Sequence, residues 1–335
     1  MRNEAHIKRQ SVGYRIALIT LDAHAAGPCD RAASVLGTEF PGLSIEVHAA
    51  AEWGENPAAL NTARDAILSA DIIVVNLLFL EEHVQAIMTQ LLERRDNCDA
   101  MIGVISDASI VKLTRMGTLD MSAPQSNAMT LIKRLRGSSK SSTETGQKKM
   151  RMLRRLPKIL KYIPGKAQDL RAWFMVMQYW LAGSDDNVES MLRFLISRYC
   201  HIKHWQGGQA AAPIEYPEVG LYHPDIKGKI THDPSELFSM PEAKCTVGIL
   251  LMRSYVLSSD TAHYDAVIRS FEEKGIRVIP AFAGGLDSRP AMEAFFRQNG
   301  ATKIDVLVSL TGFSLVGGPA YNDAAAAVKI LKELN

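Results

Sequence analysis

In the first hundred positions, apolar residues fall into short continuous runs separated by stretches with helical spacing. "RIALITLD", Arg15 to Asp22, is rich in branched residues and leads through small residues to a helical pattern from about Cys29 to Leu36, which predicts a strand feeding a helix. The alternation returns as "SIEVHAA", "NPAALNTARDAILSA", "DIIVVNLLF", "EEHVQAIMTQLLERR" and "AMIGVIS". Continuous apolar strands alternating with amphipathic helices predict a parallel sheet covered on both faces. Within the helices, Ile87, Leu91 and Leu92 recur at helical spacing and read as core.

The pattern then breaks. "GSSKSSTETGQ", Gly137 to Gln147, is polar and predicts a mobile loop. "KKMRMLRRLPKILKYIPGK" follows as a basic amphipathic helix, with Met152, Leu156, Ile159 and Leu160 on one face and Pro157 starting or kinking it. "AQDLRAWFMVMQYWLAG" and "DDNVESMLRFLISRYC" predict two more helices, the second with Asp185 and Asp186 at its favourable amino end. Residues Ala210 to Glu242 are rich in Pro and His without periodicity and predict a long connection. Strand and helix patterns resume with "CTVGILLM", "DTAHYDAVIRSFEEKG", "IRVIPAFAGG", "RPAMEAFFRQNG", "KIDVLVSL" and "DAAAAVKILKELN".

The predicted architecture is α/β: two Rossmann-like or flavodoxin-like parallel-sheet units joined by a helical basic section. The expected divisions are an N-terminal α/β domain over 1–136, a mobile polar loop and basic helix over 137–165, a helical section and long connection over 166–243, and a second α/β unit over 244–335. That last unit ends on a helix with no closing strand, which predicts an unfinished sheet.

Composition agrees with two buried cores: 335 residues, 47% of them hydrophobic and 22% charged. The formal net charge of +2 hides a strong segregation, because Leu131 to Arg171 carries thirteen Lys or Arg against only Glu144 and Asp169. This basic stretch, with Arg151, Arg154 and Arg155 at its centre, suits docking on a partner's acidic face or on a membrane surface. It has neither a stacking platform nor a reading motif for nucleic acid. Cys29, Cys98, Cys200 and Cys245 are widely spaced and form neither a disulfide framework nor a zinc ribbon. The N-terminus has no apolar core of a signal peptide and no uncharged apolar run approaches the ~20 residues that span a bilayer, so a cytoplasmic protein is expected.

Candidate chemistry is sparse. "CHIKH" puts Cys200, His201 and His204 close together, but adjacent residues diverge on a helix and no second cluster completes a metal site. "THDPSE" reads as a turn or cap. "LTGFSLVGGPAYND" has the glycine spacing of a phosphate loop at Gly312 and Gly317, yet Gly318 and Pro319 occupy the positions of its Lys and hydroxyl residues, so nucleotide binding is not expected. In open α/β sheets, ligands sit beyond the carboxyl ends of strands. In the second unit these ends are dense in Gly, Ser and Thr, with Arg253, His263, Asp287 and Arg289 as ionisable groups, and a pocket is expected there.

The blocks "YIPGKAQDLRAWFMVMQYWLAGSDDNVESMLRFLISRY", "VGILLMRSYVLSSDTAHYDAVI", "RVIPAFAGGLDSRPAMEAFF" and "VLVSLTGFSLVGGPAYNDAAAA" are long and specific. In them the chain resembles the large, porphyrin-binding H subunit of magnesium chelatase, a family related to the large subunit of cobalt chelatase. The likeness extends to Arg15–Ile105 and so covers nearly the whole chain. It implies ATP-dependent insertion of magnesium into protoporphyrin IX on the way to chlorophyll or bacteriochlorophyll. Mg2+ and the porphyrin would be substrates, ATP would be spent by partner AAA+ I and D subunits, and this chain would bind no cofactor of its own.

Family members are much longer, so the chain resembles an N-terminal portion. The positions associated with chelation in the family fall beyond it, and no catalytic residue is carried over. For a flat apolar macrocycle with two carboxylates, Arg253 and Arg289 are the expected carboxylate partners. The stripe of Trp173, Phe174, Met175, Met177, Tyr179 and Trp180 reads as core instead. A cobalt chelatase subunit and a non-enzymatic docking scaffold are the alternative readings.

Overall fold

The computed structural model describes residues 13–21, 23–123, 167–285, 287–312, 314–318 and 321–334. The polar loop and basic helix expected over 137–165 lie outside the described residues, as do Arg151, Arg154 and Arg155. The chain divides into two compact units, 1–214 and 215–335.

In the first unit, β1 (Tyr14–Thr20), β2 (Leu43–Ala49), β3 (Ile72–Asn76) and β4 (Ala100–Val104) form a parallel sheet in the order β2-β1-β3-β4. An antiparallel hairpin, β5 (Arg115–Met116) and β6 (Leu119–Asp120), extends it beyond β4. Every residue of β3 and β4 is buried, as continuous apolar runs between two helical layers require.

One face of the sheet carries Ile16, Leu18, Ile72, Val74, Ile102 and Val104 beneath α1 (Ala26–Glu39). The other carries Ala17, Ile19, Ile73, Val75 and Met101 beneath α2 (Pro57–Ser69) and α3 (Glu81–Arg94). In α3, Ile87 and Leu91 are fully buried, whereas Leu92 is 56% exposed. One further residue rotates the side chain about 100° off the apolar stripe, so the core expected at Leu92 is corrected.

A short α4 (Ala108–Lys112) precedes the hairpin, and two long helices, α5 (Ala167–Ala182) and α6 (Asp185–Tyr199), complete the unit. The aromatic and Met stripe of α5 is buried throughout, with Phe174 and Tyr179 at 0% exposure. A helix that is apolar around most of its circumference needs cover around most of it. It finds this between the first sheet and α6, whose Met191, Leu192, Leu195 and Ile196 share its core. Ser184 caps α6 by accepting a hydrogen bond from the Asn187 backbone, with Asp185 and Asp186 in the first turn as expected. The helical section expected as a separate body over 166–243 is therefore divided: its helices belong to the first unit.

Residues 215–243 of that section join the second unit. Residues expected as a long connection supply β7 (Val219–Tyr222) and β8 (Ile230–Thr231). They continue antiparallel from a parallel core of β9 (Thr246–Met252), β10 (Arg277–Ala283) and, further along, β13 (Val306–Ser309), in the order β13-β9-β10-β7-β8. The unit is thus a mixed sheet. Strands of two to four residues show too few alternations to be read from periodicity.

Helices α7 (Arg253–Leu257) and α8 (Ala262–Glu272) follow β9. Val256, Tyr264 and Ile268 of these helices pack on Val247, Ile249 and Leu251. The opposite face packs on α9 (Arg289–Ala291), which continues as a π-helical turn over Met292–Phe296, and on Ile330 of the last helix, α10 (Ala324–Glu333). Two small hairpins complete the unit: β11 (Arg297–Gln298) with β12 (Ala301–Thr302), and β14 (Gly317–Gly318) with β15 (Tyr321–Asn322). Among the described residues β13 is an edge strand, with Val306 49% exposed.

Candidate functional site

The carboxyl ends of β9 and β10 lie side by side, because Met252 pairs with Ala283 at the end of their parallel register. Arg253 is the next residue and opens α7. Its guanidinium donates from Nε to the Pro217 carbonyl at 2.9 Å and from Nη2 to the Tyr216 carbonyl at 3.1 Å, which clamps the approach to β7 beside β9. Across the mouth, the Gly284 backbone N–H donates to the Glu218 carbonyl. Glu218 was not expected here from the sequence, since its surroundings carry no periodicity that would bring β7 to this sheet.

His263 lies in the first turn of α8. Its ring centroid is 3.9 Å from that of Tyr264 and 5.5 Å from that of Tyr255. Tyr264 is fully buried, and its hydroxyl accepts a hydrogen bond from the Met252 backbone at 3.1 Å. Burial raises the pKa of this phenol, so it stays neutral at the strand end. An aromatic group therefore stands next to Arg253.

Beyond β10, the Asp287 carboxylate receives Arg289 three times: backbone N at 3.0 Å, Nε at 2.9 Å and Nη2 at 2.7 Å. The two-pronged contact is the strong geometry for guanidinium and carboxylate. The glycine loop noted in the sequence folds against the same residues. Asp287 forms a β-bridge with Val316, and the Ser288 N–H donates to the Leu315 carbonyl at 2.9 Å. Gly312 and Gly317 have φ values of 71° and 115°, a region that favours glycine. The loop's glycines thus serve a tight return onto β10's mouth. The structure brings Asp287, Arg289 and this loop together, and places Arg253 and His263 at the neighbouring strand end.

The remaining candidates have structural partners. Cys200 is buried, and the His201 ring meets Asp99 at 2.9 Å, where Asp99 also accepts from the Tyr14 hydroxyl at 2.7 Å. Burial, and then the bond to Asp99, raises the Tyr14 pKa. In "THDPSE", Asp233 caps a short turn by accepting from Ser235 at 2.9 Å. Among the described residues, no group of three or more His, Cys, Asp or Glu is placed to hold a metal ion. Among the same residues, no helix is long and apolar enough to cross a membrane.

An α/β chain with this second-unit mouth matches a described family. Residues 177–335 match CobN/Magnesium Chelatase, and residues 15–174 match a domain of unknown function, DUF3479. The chain belongs to the CobN/magnesium chelatase family.

Within that family it is similar to the H subunit of the magnesium chelatase of Cereibacter sphaeroides, with 60% identity over 323 residues, which is 96% of this chain and 27% of the relative. It is 31% identical over 287 residues to the chloroplastic ChlH subunit of the magnesium chelatase of Oryza sativa subsp. indica, covering 80% of this chain and 20% of that protein. The chain thus spans about a quarter of the length of the bacterial H subunits at 57–60% identity. Among solved structures, the catalytic subunit of cobaltochelatase from Mycobacterium tuberculosis aligns with a TM-score of 0.44 and 13% identity, over 88% of this chain and 18% of that one.

Proposed function

We propose that this chain acts as the N-terminal portion of the porphyrin-binding H subunit of a magnesium chelatase, in chlorophyll or bacteriochlorophyll synthesis. The observation that carries this reading is the 60% identity to the H subunit of a magnesium chelatase across 96% of the chain. In this reading Mg2+ and protoporphyrin IX are substrates, and ATP is hydrolysed by partner AAA+ I and D subunits in a cytoplasmic complex that is peripheral to the membrane through the basic segment. The complex is a ligase forming nitrogen–metal bonds, and the chelation residues lie outside this chain.

The mouth of the second unit then contributes to porphyrin enclosure. Arg253 and Arg289 offer cations for the propionates, with Asp287 holding Arg289 in place until a propionate exchanges for it. His263 and Tyr255 supply a flat aromatic flank. Polar groups at the rim with an apolar wall suit a planar macrocycle carrying two carboxylates.

The test is a chimera in which this chain replaces the aligned 323 residues of the Cereibacter sphaeroides protein, assayed for magnesium protoporphyrin formation with the I and D subunits. Activity near that of the parent is expected. A soluble chimera that binds its partners but forms no product would overturn the reading.

A further inference from the structure

The first sheet reverses its winding between β1 and β3: the chain leaves β1 for β2 on one side and returns to β3 on the other. Crevices at the carboxyl ends of two such strands are where open α/β sheets receive ligands. Thr20 ends β1 and Asn76 ends β3. Ile19 pairs with Val75 in the register, so Thr20 and Asn76 are the next positions on adjacent strands. Both are fully buried, and neither the Thr20 hydroxyl nor either polar atom of the Asn76 side chain has a hydrogen-bond partner. Orphaned buried polar groups are uncommon and unfavourable. Three of them side by side need a reason.

By the alternation of the strands, Thr20 and Asn76 face the same side as Ile16, Leu18, Ile72 and Val74. That side is covered by α1 through Cys29, Ala32 and Leu36, and α1 begins a few residues after Thr20, at the same end of the sheet. The amino end of α1 has no side-chain cap and no acidic residue in its first turn, and the turn before it contributes His24. Backbone N–H groups at the start of a helix, together with the positive end of its dipole, form an anion seat.

The neighbouring loops carry backbone strain: Leu77 and Ile105 have φ values of 58° and 46° and are joined by a 3.0 Å hydrogen bond. Beyond them Phe79 and Leu80 are 55% and 52% exposed.

The geometry points to a second ligand site, in the first unit, for a small molecule with an oxyanion head group, phosphate or carboxylate. The head sits at the amino end of α1 and takes hydrogen bonds from the Thr20 hydroxyl and the Asn76 amide. An apolar body extends toward Phe79 and Leu80. This site is separate from the second-unit mouth and does not depend on the chelatase reading.

The test follows thermal unfolding of the 335-residue chain at constant ionic strength, with sodium phosphate or sodium acetate replacing sodium chloride. One of the two anions should raise the midpoint by about 3 °C at tenfold excess over its Kd, and which arm responds identifies the head group. Asn76→Leu should abolish that rise while leaving the midpoint in chloride equal or higher, because an apolar side chain of similar shape has no unmet hydrogen bonds.

In parallel, the Asn76 side-chain amide and the backbone amides of Ala25, Ala26 and Gly27 should shift saturably in nuclear magnetic resonance spectra of the unaltered chain. If Asn76→Leu does not fold, Thr20→Val and these spectra decide. Equal responses of the variant and the unaltered chain, or no saturable shift at these amides with either anion, would overturn the proposal and leave buried water as the partner of Thr20 and Asn76.

Discussion

Asp169 in α5 accepts two hydrogen bonds from Thr118, at 2.8 Å from its backbone nitrogen and 2.9 Å from its hydroxyl, and so ties the β5–β6 hairpin to a helix that covers the sheet. The same carboxylate receives Arg198 Nη2 and the Tyr199 hydroxyl, both at 2.9 Å, from α6. One buried side chain thus joins three elements.

Removing it should be severe. Asp169→Ala leaves Thr118, Arg198 and Tyr199 without their acceptor and is expected to lower stability by about 2–4 kcal/mol in urea unfolding. Burial by itself raises the Asp169 pKa, but hydrogen bonds from Thr118, Arg198 and Tyr199 hold it below its ordinary value of 3.8. A depressed folded pKa means that the contribution is complete above the unfolded value and is lost as pH falls through the folded one. Asp169→Asn should therefore flatten the decline in stability below about pH 4. An unchanged acid limb would contradict this assignment.

Gly103 lies in the middle of β4, where α4 comes close. A Cβ there would stand 2.6 Å from the Ile110 carbonyl oxygen, which is backbone and cannot swing aside. The Gly103 carbonyl also accepts the Trp173 indole N–H at 2.9 Å. Gly103→Ala should cost about 1–3 kcal/mol, read as a lower urea midpoint with an unchanged slope. A neutral result would mean that α4 moves away without loss.

At the second-unit mouth, Arg289 and Asp287 should act in opposite directions. Arg289→Ala is expected to weaken protoporphyrin binding about tenfold, measured by quenching of tryptophan fluorescence, since it removes a charge-assisted contact to a propionate. Asp287→Asn should tighten binding, because the competing carboxylate becomes neutral. Equal quenching curves for both variants and the parent, with unchanged circular dichroism, would remove this mouth from porphyrin binding.

The basic segment gives a separate test of peripheral membrane contact. Changing Arg151, Arg154 and Arg155 together to Glu should lower sedimentation with phosphatidylserine vesicles by about tenfold or more, given about 1 kcal/mol for each basic residue near an anionic surface. Undiminished sedimentation would exclude the segment as a lipid contact.

Much of this was legible because periodicity reports burial directly. β1, β3, β4, β9 and β10 are continuous apolar runs, and a strand covered on both faces has no other composition available. The acidic start of α6 was equally plain, since the positive end of the helix dipole favours Asp185 and Asp186 there. The absent Lys and hydroxyl residues in the glycine loop argued against a phosphate cradle for the same local reason, and the wording of that loop pointed to the chelatase family.

What the sequence by itself determined, then, was the kind and order of the long elements, and the family to which they belong. The tertiary structure alone decided which unit each helix serves, because a largely apolar helix such as α5 specifies that it must be covered but not by what. It also decided that β7 and β8 join the second sheet, that Arg289 meets Asp287, and that Thr20 and Asn76 stand together without partners. Those relationships arise between residues brought together by strand register and helix packing, whereas periodicity and capping act within a few residues of chain.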